Sequence, residues 1–306
     1  VSTQLIAVLL GLLSAMAIAW GTVVRHQLGT VVAEGRGTVA GVAAAIRRPK
    51  WWAGSALAVS GYGLQLAALG FGSVLLVQPL LVLSLPFSLF LGARLYNQRL
   101  PMATVVWSLL LSMSVAVLVV FGNPLPGQDS PPFIVWAPTM FAGVAIFLGL
   151  YVSASTWLRN HKAFLLGVAT GVVFGYLAMF SKALVDGFMD RGLLSIFVSW
   201  ELWGLLGLMV LGVTTQQAAF NAGMLDKSLP PMTSAEPVTA FILGYLVLGE
   251  RFQVEGLLGW IVILAATVLM VAATVRLPVA DRPSDRPFER GQHVPPDPIP
   301  QDDPTH

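Results

Sequence analysis

Glu236 stands in an apolar stretch between the pair Pro230–Pro231 and Pro237. A carboxylate at depth in a bilayer is costly and defaults to a functional role. It lies seven residues past Leu229, about 10 Å along a helix rising 1.5 Å per residue. Proline removes an N–H and breaks helices, so the stretch is expected to be interrupted beside Glu236. A carboxylate next to freed carbonyls suits a proton or cation site, and any metal held by this chain would involve Glu236. The structural alternative is a helix restart, with Glu236 capping or snorkelling in the run Ser234-Ala235-Glu236-Pro237. Gln65, Gln217, Gln78, Gln216 and Asn221 are the other polar groups in apolar surroundings. Each amide donates and accepts hydrogen bonds. They read equally as substrate ligands in one cavity or as interhelical glue, worth about 0.6 kcal/mol per bond. Trp20 and Tyr176 are candidates for lining that cavity or for packing and interfacial belts.

Lys182 and Asp186 are an i, i+4 pair near the end of an apolar stretch. Lys182 is read as snorkelling to the interface, with cavity lining as its other role. Glu201 reads as interfacial. Glu250 and Arg251 close a helix and read as a fold element. The histidines, His26, His161, His293 and His306, fall in loops, helix ends or the tail. No HExxH, GxSxG or Walker sequence occurs, and Ala33–Gly37 is only a flexible glycine turn. The expectation is no enzyme, no cofactor and no ATP-driven pump. Cysteine is absent, which excludes disulfides and thiolate sites. A net charge of +2 gives no reason to expect nucleic acid.

The elements that position these groups are membrane spans. Hydrophobic residues make up 56% of the chain and charged residues 10%, against roughly 25% charged in soluble domains. A span needs about 20 apolar residues. Nine are expected: Gln4–Val24, Trp52–Phe71, Val74–Leu95, Met102–Phe121, Phe133–Val152, Ala163–Val185, Val198–Phe220, Leu229–Gly249 and Val254–Val275. The first is too long for a signal core. Leu28–Ile46 reads as a loop with a surface helix. Alternation puts Arg25, Arg36, Arg47, Arg48, Lys50, Arg94, Arg99, Arg159, Lys162, Lys227 and Arg276 on one side. By the positive-inside rule that side is cytoplasmic, so the N-terminus is outside and the C-terminus inside. From Leu277 to His306 the chain is rich in Pro, Asp and Arg. It reads as a disordered cytoplasmic tail, inert or docking a membrane-complex partner.

A shift of 152 places Trp51 on Trp203, Gln65 on Gln217, Pro79 on Pro231, Gly92 on Gly244 and Arg99 on Arg251. A shift of 156 places Leu10–Trp20 on Leu166–Tyr176. Spans one to four thus match six to nine, with the fifth as connector. The domains are 1–122 (first repeat), 123–154 (connector and fifth span), 155–276 (second repeat) and 277–306 (tail). The odd spacing inverts one repeat relative to the other, an arrangement many secondary transporters use.

Trp51–Gly54 (WWAG) and Val77–Leu100 (VQPLLVLSLPFSLFLGARLYNQRL) resemble the second and third helices of NIPA-type magnesium transporters. Gln98 stands where that family has Glu. Glu236–Phe252 (EPVTAFILGYLVLGERF) resembles the Pro…Gly-Glu-Arg helix of the drug/metabolite transporter superfamily, as in its EamA-like members. The resemblance covers Val1 to Arg276 and implies an all-α, nine-span transporter in a bacterial plasma (inner) membrane. The first functional expectation is alternating-access transport of a small metabolite or lipid-linked solute, with Glu236 coupling a proton or coordinating a cation. The second is divalent-cation transport, for which the spans offer few carboxylates. The third is a transporter-fold accessory subunit docking through 277–306. A homodimer is the remaining partner expectation besides lipid.

Overall fold

The computed structural model describes residues 3–33, 49–95, 97, 99–127, 131–222 and 225–280. The chain is an all-α, multi-pass membrane protein. Among the described residues, eight helical stretches are long and apolar enough to cross a membrane. The elements are α1 (Thr3–Ala33), α2 (Pro49–Phe71), α3 (Val74–Val82), α4 (Ser84–Leu95), α5 (Met102–Ala116), β1 (Pro124–Leu125) and α6 (Phe133–Ser155). They continue with α7 (Lys162–Arg191), α8 (Leu193–Val198), α9 (Trp200–Asn221), α10 (Leu225–Leu243), β2 (Arg251–Phe252) and α11 (Gly256–Ala280). The helix α2, where the second span was expected, has 23 residues. It is not among the eight.

The helix α7 is the centre of the bundle. Its span is 67% buried, whereas that of α6 is 11% buried, the least of the eight. Packed against α7 are α10, α9, α6 and α2. Trp136, fully buried, anchors α6 through edge-on ring contacts with Phe180 of α7 at 5.0 Å and Trp200 of α9 at 5.5 Å. In the first half α1 pairs with α2 and packs on α3 and α4, while α5 lies against α11. The pair α1–α2 is antiparallel: Ser14 Oγ donates to the Gly61 carbonyl at 2.7 Å, and Gly72 faces Ala7.

The Val74–Leu95 span is found with its expected bounds, as two helices parted at Leu83. Pro86 has no N–H to give the carbonyl four residues back, and the Leu83 N–H turns to Leu80 at 3.2 Å. The stretch around Glu236 is not interrupted: α10 runs through Pro230, Pro231 and Pro237. Two hydroxyls fold back on the same helix, Ser234 Oγ donating to the Pro230 carbonyl at 2.8 Å and Thr233 Oγ1 to the Leu229 carbonyl at 3.0 Å. The disordered tail does not start at Leu277, because α11 continues to Ala280; residues 281–306 lie outside the described residues. The expected loop at Leu28–Ile46 is helical as far as Ala33. The rest of it, with most of the glycine turn and Gln98, also lies outside the described residues.

Both α5 and α10 end in a π-turn, Val117–Phe121 and Gly244–Leu248. Each leads into one strand of a two-residue antiparallel ladder, Pro124 opposite Phe252 and Leu125 opposite Arg251. The Gln253 N–H donates to Gly122 at 2.8 Å, and Asn123 Nδ2 donates to Gln253 Oε1. Gln4 Nε2 reaches the Pro124 carbonyl at 3.3 Å. The start of α1 and the ends of both π-turns therefore share one end of the bundle.

Candidate functional site

Two places concentrate polar chemistry in the apolar bundle. The first is the break between α2 and α3. Gly72 is required there, since a Cβ would lie 2.6 Å from the Ala7 Cβ. Ser73, extended at φ −73° and ψ 158°, caps α3 by accepting from the Leu76 N–H at 3.2 Å. Glu250 completes the cap from 175 residues away: its carboxylate oxygens accept from the Val74 N–H at 2.8 Å and the Leu75 N–H at 2.9 Å. A helix N-terminus has unfilled N–H groups and a partial positive charge, so a carboxylate satisfies both. Glu250 is fully buried. Gly249 at φ 67° turns the chain into it.

The other side of the break carries the opposite charge. Lys182 Nζ donates to the Leu69 carbonyl, in the last turn of α2, at 2.8 Å. It also pairs with Asp186 at 2.6 Å. A cation at a helix C-terminus and an anion at the next N-terminus both complement the helix dipoles. Lys182 is 6% exposed, so it does not snorkel. Its chain is spent on a backbone carbonyl that sequence proximity to Asp186 gave no reason to expect. Glu250 likewise is a bridge between the two halves. Replacing Ser73 by alanine is expected to cost about 1 kcal/mol of stability, the ordinary value of an N-cap, read as a small drop in melting temperature in detergent.

The second place is the seat of Glu236. Gly167, Gly171 and Gly175 form a stripe on α7 against α10. A Cβ on Gly171 would lie 2.4 Å from the Met232 carbonyl oxygen and 3.0 Å from the Glu236 nitrogen. On Gly175 it would lie 2.9 Å from the Glu236 carbonyl oxygen. Small residues four apart let membrane helices approach this closely. The four-residue spacing of these glycines is plain in the sequence. Glu236 itself is half-buried. Gln216 Nε2, on α9, donates to Met232 Sδ of α10 at 3.4 Å.

The remaining candidates are dispersed. Gln78 is buried on α3, and its Nε2 has no hydrogen-bond partner among the described residues. Gln65 is half-buried, while Gln217 and Asn221 are exposed. No hydrogen bond among the described residues joins Glu236, Gln65 and Gln217. Trp20 is exposed; Tyr176 is buried and donates through its hydroxyl to the Thr139 carbonyl of α6. Glu201 is half-buried and lines, with Arg191, a shallow surface dent where α7, α8 and α9 meet. Among the described residues no three His, Asp or Glu side chains gather to hold a metal ion.

No family model matches the chain, and no solved structure matches it. An uncharacterized protein of Corynebacterium glutamicum is 46% identical over 276 residues, covering 90% of this chain and 95% of that protein.

Proposed function

We propose that this chain, which belongs to the same family as that corynebacterial protein, is a secondary transporter of the drug/metabolite type. It moves a small metabolite or lipid-linked solute by alternating access between two inverted four-helix halves in the bacterial plasma membrane. The observation that carries the reading is the matched packing of the halves. Gly11 of α1 faces Leu80 of α3, and Gly167 of α7 faces Pro231 of α10. Under the sequence shifts Gly11 corresponds to Gly167, and Leu80 to the residue after Pro231. The pair α1–α2 answers to α7–α9, α1 with α3 and α4 answers to α7–α10, and α5 meets α11.

The same contacts favour nine spans. Because α2 runs back beside α1 from Gly61–Ser14 to Gly72–Ala7, it covers the depth that α1 covers. The break at Gly72, the Asp186 end of α7, Glu250 and the ladder then share one end, as an odd count requires. Placing the basic loops in the cytoplasm puts that end outside. Related halves that trade packings are the usual machinery of alternating access. Glu236, half-buried on a helix seated on glycines, is the residue assigned to solute or cation coupling, with Gln216 bonded one turn away at Met232.

The test is flux in proteoliposomes against a panel of small metabolites and lipid-linked sugars. Wild-type protein is expected to take up at least one of them, and Glu236→Gln to lower that uptake tenfold or more. Uptake unchanged by the substitution removes Glu236 from the mechanism. No flux of any solute, together with a stoichiometric partner lost on deleting 281–306, would replace transport by an accessory role.

A further inference from the structure

We propose that Glu250 is a proton-carrying residue: it holds a proton while the Gly72–Ser73 break is closed against it and releases that proton to water when the break opens. The proposal deepens the transport reading above by naming a proton site distinct from Glu236.

Geometry carries it. Glu250 is supplied by the end of the second half, and what it binds, the Val74 and Leu75 N–H groups, begins a helix of the first half. Any displacement of one half against the other at this end pulls the carboxyl out of that fork. Hinge elements flank it on both sides. On one side is the glycine-serine break. On the other are the π-turn Gly244–Leu248 and the left-handed Gly249. Glu250 lies two residues beyond the last residue of its span, Leu248, yet it is fully buried.

Against its burial, its charge is compensated by the two N–H groups of the helix start and, at range, by Lys182. The ion pair among the described residues joins Lys182 to Asp186, so Lys182 reaches Glu250 only at range and Asp186 opposes it. These are the charged groups that α7 turns toward Glu250. The helix α3 and strand β1 contain no titratable side chain, and Arg251 and Glu255, its neighbours in sequence, are exposed. Burial pushes the Glu250 carboxyl up to about 7, against the downward pull of the two backbone donors and Lys182.

The sign follows from linkage. A carboxyl raised in the closed arrangement and ordinary once hydrated binds more proton when closed. Closure is therefore favoured on the acid side and loses that support as pH rises through the closed-state value. Opening expels up to one proton, and closing takes one up.

The chain has no cysteine, so two introduced cysteines label cleanly. Spin labels at Phe71→Cys and Glu255→Cys, both exposed positions, straddle the break in full-length protein in lipid nanodiscs. Pulsed dipolar spectroscopy without solute is expected to show a longer distance growing in as pH rises, with a midpoint near 7. Glu250→Gln, uncharged at every pH, should hold the short distance throughout. Asp186→Asn removes an anion that pushes the carboxyl up, so the midpoint should fall. A pH-independent distribution in the wild type, a surviving wild-type titration in Glu250→Gln, or a midpoint that rises or stays put in Asp186→Asn overturns the proposal. If Glu250→Gln does not assemble, the Asp186→Asn midpoint decides alone. Because the distances are read without solute, a failed titration leaves the flux assay to judge transport. An intact titration without flux keeps the proton site and removes the transporter.

Discussion

Lys182→Met protein is expected to lose about 3–5 kcal/mol of stability, the cost of removing one partner from a buried pair, read by denaturant titration in mixed micelles. The ammonium is 6% exposed and serves three acceptors of charge. It is bonded to Asp186 at 2.6 Å and to the Leu69 carbonyl at 2.8 Å, and it lies within electrostatic reach of Glu250. Methionine is unbranched, one atom shorter, and fills most of the space, so the loss is chiefly one of charge and hydrogen bonding. What remains is an Asp186 carboxylate without its cation in a low-dielectric interior. Two companion results separate this from a packing defect. The loss should shrink as pH falls through neutrality, because a protonated Glu250 no longer adds a second negative charge nearby. The double variant Lys182→Met with Asp186→Asn should be more stable than Lys182→Met alone, since it takes away the orphaned anion as well. An exposed pair would behave otherwise, costing at most about 1 kcal/mol. A loss that small would mean the pair is hydrated.

The contrast between Lys182 and α6 shows what was legible in the sequence. The span Phe133–Val152 was expected from an unbroken apolar run, and α6 covers Phe133–Ser155. Length and apolarity decide that question locally, because lipid leaves a helix no alternative. In the second span Gly61 reflects packing against α1, its carbonyl accepting from Ser14 Oγ, rather than contact with lipid. Breaks were read in the wrong places for a related reason. Proline marks where a helix loses a hydrogen bond, not whether neighbours repair the loss. At α10 the helix continues through Pro230, Pro231 and Pro237. At Leu83 the same residue type parts two helices.

The candidate site was less legible than the fold. Glu250 was seen as the end of a helix, and its partners, Val74 and Leu75, lie in the other half of the chain. The sequence shift that aligns the halves pairs equivalent residues, whereas Glu250 and Lys182 act between non-equivalent ones. No internal repeat could have announced the cluster. The glutamines paired by the shift, Gln65 and Gln217, show the converse: equivalence under the shift did not bring them into hydrogen-bond contact.

Gly171→Leu is expected to abolish correctly assembled protein, seen as loss of the monodisperse peak when membranes are solubilised and run on a sizing column. The reason is backbone rather than side-chain crowding. Even a methyl group at Gly171 would lie 2.4 Å from the Met232 carbonyl oxygen, 2.7 Å from the Ala235 Cβ and 3.0 Å from the Glu236 nitrogen. A carbonyl and an amide of a continuous helix cannot rotate aside as a flexible side chain would. All of α10 must retreat from α7, and with it the contacts of Gly167 and Gly175 on either side. Gly171→Ala, the milder change, should cost about 1–3 kcal/mol, as overpacking usually does. It should also displace Glu236, so whatever flux the protein supports is expected to fall further than stability does. Gly63→Ala is the control, because nothing lies within 4 Å of a Cβ at Gly63. There alanine should be neutral or stabilising by up to about 1 kcal/mol through helix propensity alone. Equal effects at the two positions would mean that the α7–α10 contact is not close. The glycine stripe would then no longer explain how a carboxylate is held midway along a helix rich in proline.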